Sequence, residues 1–235
     1  MIRRILCGAV LWGVASAPAH AAAQCDTQIM PVIEVNATDS EPRFDYSMTQ
    51  QEMAAFAQSA QVPAADIYDL TVNALSTGNM RIEKVIKFKG QKLPADQVCV
   101  QVSKILINIH IEPVIHIASE LHDQGCEFKE YFLHEMKHVE EDRRLIAEYT
   151  NIIQRNMLFA FPLAADYNIG PVPAGKTEET RLALQDSVNG AVEATIGSMM
   201  RARKERQQAI DNTGEFIRLA RVCGVGGVGV KPELR

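Results

Sequence analysis

The run His134-Glu135-Met136-Lys137-His138 sets two imidazoles four positions apart with an acid directly after the first. On an α-helix, positions i and i+4 share one face about one turn apart, so both rings can converge on a single tetrahedral ion. The chemistry this spacing predicts is that of zinc. An ion held there acidifies water to a pKa of about 7 and polarises a carbonyl. Glu135, beside the two rings on the helix surface, is then placed to act as general base and afterwards as proton donor to a leaving amine.

Two imidazoles do not complete a zinc site, so a third ligand is required. Glu141 and Asp142 share the face of His134, but along an unbroken helix they stand about 10–12 Å above it at about 1.5 Å per residue. Either acid, Glu141 or Asp142, therefore fits a different role, holding an imidazole in one tautomer. The cysteines point to a more distant partner. Cys126 precedes the first long helical stretch and Cys223 follows the second, and two such helices pack antiparallel. A Cys126–Cys223 bond, leaving Cys25 with Cys99, sets His134 level with Glu215 and His138 level with Asp211. Glu215 is then the expected third ligand, with Asp211 as its orienting neighbour or substitute. A register counted instead from the loop, with Ala160 level with Lys176, brings Met200 to Glu205 opposite the motif and makes Glu205 the nearest acid. Glu193 is a further, weaker alternative.

The elements that must position these residues follow from the hydrophobic pattern. Residues 28–36 form an apolar, β-branched stretch, and Ser47 or Thr49 can cap a helix reaching about Ala60, before Pro63. Strand signals follow: Leu70 to Leu75, a turn at Gly78-Asn79, then Ile82, Ile86 and Phe88 on one face, with Gly90 and Pro94 closing the segment. From Val98 to Ile111 the alternation is stronger. Val98, Val100 and Val102 share one side, and after a phase change Ile105, Ile107, Ile109 and Ile111 continue it. This predicts a half-buried antiparallel sheet. A helical period runs from Glu127 to about Phe159 and contains the motif. Residues 162–176 predict a loop, and Thr177 to Val222 a second long helix, bent or interrupted near Gly190, Gly197 or Gly214. The glycine-rich tail from Gly224 predicts a mobile end.

The first residues carry Arg3 and Arg4, an apolar run from Ile5 to Ala17, and the small-residue sequence Ala19-His20-Ala21-Ala22-Ala23, the layout of a secretory leader. This run is too short to span a membrane, and Gln24 is the wrong residue before a lipid-anchored Cys25. Export through this leader, to the periplasm or outside the cell, leaves a chain starting near Ala22 or Gln24. Of the five cysteines, Cys7 departs with the leader, and the even remainder predicts two disulfides. The net charge of −5 becomes more negative still without Arg3 and Arg4, which disfavours nucleic acid and anionic lipid as partners. The domain organisation expected is a leader over 1–23, a sheet region with one helix over 24–125, a helical hairpin over 126–223 and a tail over 224–235.

Other polar residues read more simply. His110, His116 and His122 lie on or after the last strand as surface or hydrogen-bonded histidines. Arg143, Arg144 and the run from Arg201 to Arg206 fit solvated helix faces. Tyr131 and Tyr149 fit packing roles. Asn36-Ala37-Thr38 matches a glycosylation sequon.

On His134, Glu135 and His138, and more loosely on Phe44-Asp45-Tyr46-Ser47, Glu52-Met53 and Asp211-Asn212-Thr213-Gly214-Glu215, the chain resembles the zincin metallopeptidases. Within them it is similar to a group of secreted bacterial zinc-dependent proteases of unknown substrate. The resemblance implies an α+β, zincin-like architecture: a backing helix, a small antiparallel sheet, the motif helix and a second long helix carrying the third ligand. It also implies a peptide or protein substrate. That group shows an Asp, a Thr and then a His in its last segment, and here Glu215 stands near the place of that His. Two functions are expected on these grounds: a zinc-dependent hydrolase of peptide bonds, or a non-catalytic metal-binding or scaffold protein of the cell envelope that keeps the fold.

Overall fold

The computed structural model describes residues 24–26, 29–59, 72–122 and 125–223; the leader, the tail and Leu70 of the expected first strand lie outside these. Five strands and four α-helices occur among the described residues, joined by short 3₁₀ turns. They are β1 (Val32–Asp39), β2 (Arg43–Asp45), α1 (Gln50–Ser59), β3 (Ala74–Leu93), β4 (Gln97–Ile117), α2 (Gly125–Ala160), β5 (Asn168–Pro173), α3 (Thr177–Ile210) and α4 (Thr213–Val222). The α+β class holds, but the sheet is mixed, not antiparallel. β3 and β5 pair antiparallel with β4, whereas β1 and β2 pair parallel to it. Because β3 covers β4 from Gln97 to Ile117, the strands β5, β1 and β2 lie end to end along its other edge.

The phase change in β4 is a β-bulge. Lys87 pairs Lys104 and Phe88 pairs Val102, which leaves Ser103 as the extra residue. One added residue keeps Val98, Val100 and Val102 on the same buried side as Ile105 to Ile111. Gly78-Asn79, expected as a turn, lies within the 20-residue β3. The hairpin turns instead at Pro94-Ala95-Asp96, where Ala95 and Asp96 adopt φ of 59° and 52°. The stretch 162–176, expected as a loop, contributes β5, which pairs with the start of β4.

α2 and α3 cover one face of the sheet. Leu145, Tyr149, Ile153 and Met157 recur every fourth residue on α2, as do Leu184, Val188 and Val192 on α3, and both series meet Ile105, Ile107, Ile109 and Ile111 in one core. A second cluster at the other end joins Met53 of α1, Ile115 and Ile117 of β4, and Val139 of α2. α1 starts on a reciprocal cap: Thr49 Oγ1 accepts from the Glu52 amide at 3.3 Å, and Glu52 accepts from the Thr49 amide at 2.8 Å.

Two disulfides tie the chain, Cys25–Cys99 and Cys126–Cys223. The second links the start of α2 to the end of α4, and their presence fits an oxidising compartment. No helix among the described residues is long and apolar enough to cross a membrane.

Candidate metal centre

The site forms where the first half of α2 meets the junction of α3 and α4, beside the start of β3. His134 and His138, one turn apart on α2, are both buried, and their Nε2 atoms stand 3.4 Å apart. α3 ends at Ile210, and two residues later α4 begins on a cap in which the Asn212 side chain accepts from the Glu215 amide at 3.0 Å. This break turns the acids on either side of Asn212 toward α2. Asp211 Oδ1 lies 3.1 Å from His134 Nε2 and 3.0 Å from His138 Nε2.

These three atoms fit one ion. A tetrahedral zinc with bonds of about 2.0–2.1 Å holds its ligand atoms about 3.3–3.4 Å apart, close to the three separations found here. His134, His138 and Asp211 are also the group among the described residues whose ligand atoms cluster closely enough to hold a metal.

The order expected of the two acids is reversed. Glu215 does not stand between the Nε2 atoms; its Oε1 meets His134 Nδ1 at 3.2 Å. The disulfide register set it level with His134, and at that height a side chain from α4 meets the inner nitrogen of the ring. The point shared by both Nε2 atoms is reached by the shorter Asp211 from the end of α3. Glu215 is fixed by Lys137 Nζ at 2.7 Å and by two Arg218 nitrogens at 2.9 Å. Arg218 first, and then Lys137 and His134, hold its carboxyl well below the usual range. Glu205 is exposed on α3 and outside the group, and Glu193 pairs with Lys84 on β3. The loop-counted register thus fails.

Asp142 reaches the site through intermediaries that the sequence did not single out. Arg203 binds it through two nitrogens, at 2.8 and 2.6 Å, and Gln207 Nε2 donates to its Oδ1 at 2.8 Å. Gln207 Oε1 in turn meets His138 Nδ1. Gly78 makes room for this assembly. A Cβ there would come within 2.7 Å of Arg203 Nη2 and 3.1 Å of Asp142 Oδ2. A glycine before Asn is a strong turn signal in sequence, but here it serves close approach across a strand. The bland readings of two strand histidines agree with their contacts: His116 meets Asp45 and Thr77, and His110 meets Thr38.

Glu135 is 4% exposed. Burial pushes its carboxyl up to about 7, opposed by the nearby His138 and His134 and by the backbone amide of Ser76 on β3. For His138, burial favours the neutral ring. The hydrogen bond that the ring donates to Asp211, the charges of Glu135 and Asp211, and Gln207 outweigh it and raise the ring to about 9. Asp211 is opposed by burial but stabilised by both imidazoles, and falls to about 2.

These shifts set how the metal-free protein responds to pH. Groups raised on folding stabilise the fold below their unfolded value and lose that contribution as pH rises through the folded one. For His138 the window runs from 6.5 to about 9, and for Glu135 from 4.5 to about 7. Asp211, lowered from 3.8, loses its contribution only as pH falls through about 2. The metal-free protein is therefore expected to melt at lower temperature at pH 9 than at pH 6. Zinc held by His138 would displace the ring proton, so its stabilising increment is expected to grow over the same interval. Thermal melts at both pH values, with chelator and with excess zinc, check this. An increment that shrinks with pH would contradict it.

Comparison of the chain with protein families, with curated proteins and with solved structures gives no match.

Proposed function

We propose that this chain is an exported zinc-dependent hydrolase of peptide bonds, with His134, His138 and Asp211 as ligands and Glu135 as general base. The observation that carries this reading is the triangle of Nε2, Nε2 and Oδ1 at tetrahedral spacing, with a buried carboxyl of near-neutral pKa on the residue next to His134. Zinc bound there supplies a Lewis acid and lowers the pKa of water. The remaining work falls to the chain. Glu215 and Gln207 fix the two ring Nδ1 atoms, which leaves both Nε2 lone pairs for the ion. Ser76 N–H steadies the Glu135 carboxylate. Glu135 takes a proton from the attacking water as the new C–O bond forms, and returns it to the amine as the C–N bond breaks. Burial raises this carboxyl above its ordinary value, which favours the return of the proton. The leader and the two disulfides support a periplasmic or secreted location, and the zincin resemblance supports the substrate class.

A second reading, a metal-binding envelope protein without catalysis, draws on the burial of the ligands: His134 is only 3% exposed. One experiment separates the two. Purified protein is titrated with zinc and assayed on an unfolded protein substrate. One zinc per chain with chelator-sensitive cleavage is expected. Stoichiometric zinc without cleavage selects the second reading, and no stoichiometric zinc overturns both.

A further inference from the structure

We infer that Gln207 is a positioning residue for the metal centre, acting through His138 and anchored to the sheet by Asp142 and Arg203; this rests on the metal-binding reading above. The orientation of its amide follows from its neighbours. Gln207 Nε2 lies 3.1 Å from the His138 carbonyl oxygen and 2.8 Å from Asp142 Oδ1. Both partners only accept, so the NH₂ end must face them. The amide oxygen is left facing His138 Nδ1. An oxygen there can only accept, so Nδ1 carries a proton whatever the state of Nε2, and an ion that replaces the Nε2 proton accepted by Asp211 would meet the Nε2 lone pair.

The anchor is rigid for reasons outside the site. Asp142 is buried and held by the two-nitrogen contact with Arg203, whose Nη2 also reaches the carbonyl oxygen of Gly78 at 3.4 Å. A side chain at residue 78 would displace this guanidinium. The two imidazoles are thus steered by different means. His134 meets the carboxylate of Glu215, whose charge is offset by Lys137 and Arg218, and His138 meets an uncharged amide. A second carboxylate facing His138 would add negative charge beside a site that already contains Asp211 and Glu135. The amide gives the same ring orientation without it.

The test uses the whole exported chain, with zinc itself as probe in competition with a chromophoric chelator. Gln207→Met, which keeps length and removes both polar ends, is expected to weaken zinc binding about 10- to 100-fold, the usual cost of losing an orienting partner. Gln207→Glu is expected to weaken it as well, because a carboxylate has nothing to donate to Asp142 or to the His138 carbonyl. Combining it with Asp142→Asn reverses the donor and acceptor of that bond and leaves one carboxylate between Arg203 and His138. This double variant is expected to regain part of the lost affinity, because only the bond to residue 142 is restored while the His138 carbonyl still faces an acceptor, and a packing role would give no recovery. Native affinity in Gln207→Met, or no recovery in the double variant, overturns the inference. If native protein binds no zinc, the metal reading itself fails, and ¹H–¹⁵N spectra of the His138 ring in the metal-free chain at pH 6, with both ring nitrogens facing acceptors, still decide the role of Gln207. A slowly exchanging Nδ1–H at His138 is expected in the native chain and not in Gln207→Met; equal exchange in the two overturns the inference.

Discussion

Glu135→Gln is expected to bind zinc as tightly as the native chain and to cleave peptide about two to four orders of magnitude more slowly, the contribution of a positioned general base. The amide is nearly isosteric, and its oxygen can still accept from the Ser76 amide that meets Glu135. What it lacks is a basic oxygen to take the proton of the attacking water. Folding should not suffer, because burial already disfavours the Glu135 carboxylate and a neutral amide avoids that penalty. Turnover measured at saturating zinc, alongside the melting temperature, checks both halves. Native-like turnover in a zinc-loaded Glu135→Gln protein would remove Glu135 from the mechanism.

The second large effect distinguishes the two acids at the helix junction. Asp211→Ala takes away the oxygen that lies about 3 Å from both Nε2 atoms. Zinc affinity should fall by at least about 10²- to 10³-fold, the loss of one ligand from a site whose full binding energy is of order 10 kcal/mol. Glu215→Ala removes only the partner of His134 Nδ1, and about 10- to 100-fold is expected. The comparison is made by competition titration of both variants at one pH. The opposite ranking would restore Glu215 as the ligand.

The residues around this site show what a sequence can reveal. His134 and His138 are legible because a helix fixes their separation locally. The pairing of Cys126 with Cys223 is legible because antiparallel helices joined by one loop bring their outer ends together, and it places Glu215 and Asp211 opposite the motif. Which acid takes which ring nitrogen is not legible from a residue count. It depends on the ending of α3 at Ile210 and the new start at Asn212, where the Asn212-Thr213-Gly214-Glu215 run carries the capping signal that marks the break. Gln207 and Arg203 carry no motif at all. In an exposed-looking polar run, a buried contact to Asp142 arises only once α3 lies against α2. The sheet is similar. Alternation shows which side of β4 faces inward, and even its bulge, but alternation is blind to strand direction. β1 and β2 run parallel to β4 while β3 runs against it, directions that the same alternation fits equally well.

That sheet is connected as a hub with four spokes, because each of its other strands has β4 as its pairing neighbour. β1 and β2 leave the ribosome early but have no ladder to join until about 70 residues later, when Ile117 has emerged. Strand order in time and strand order in space are therefore decoupled, and the loops closed by β1 are long, which slows folding. The same wiring makes the sheet fail as a unit: once β4 lets go, no two of the other strands among the described residues are left paired to each other.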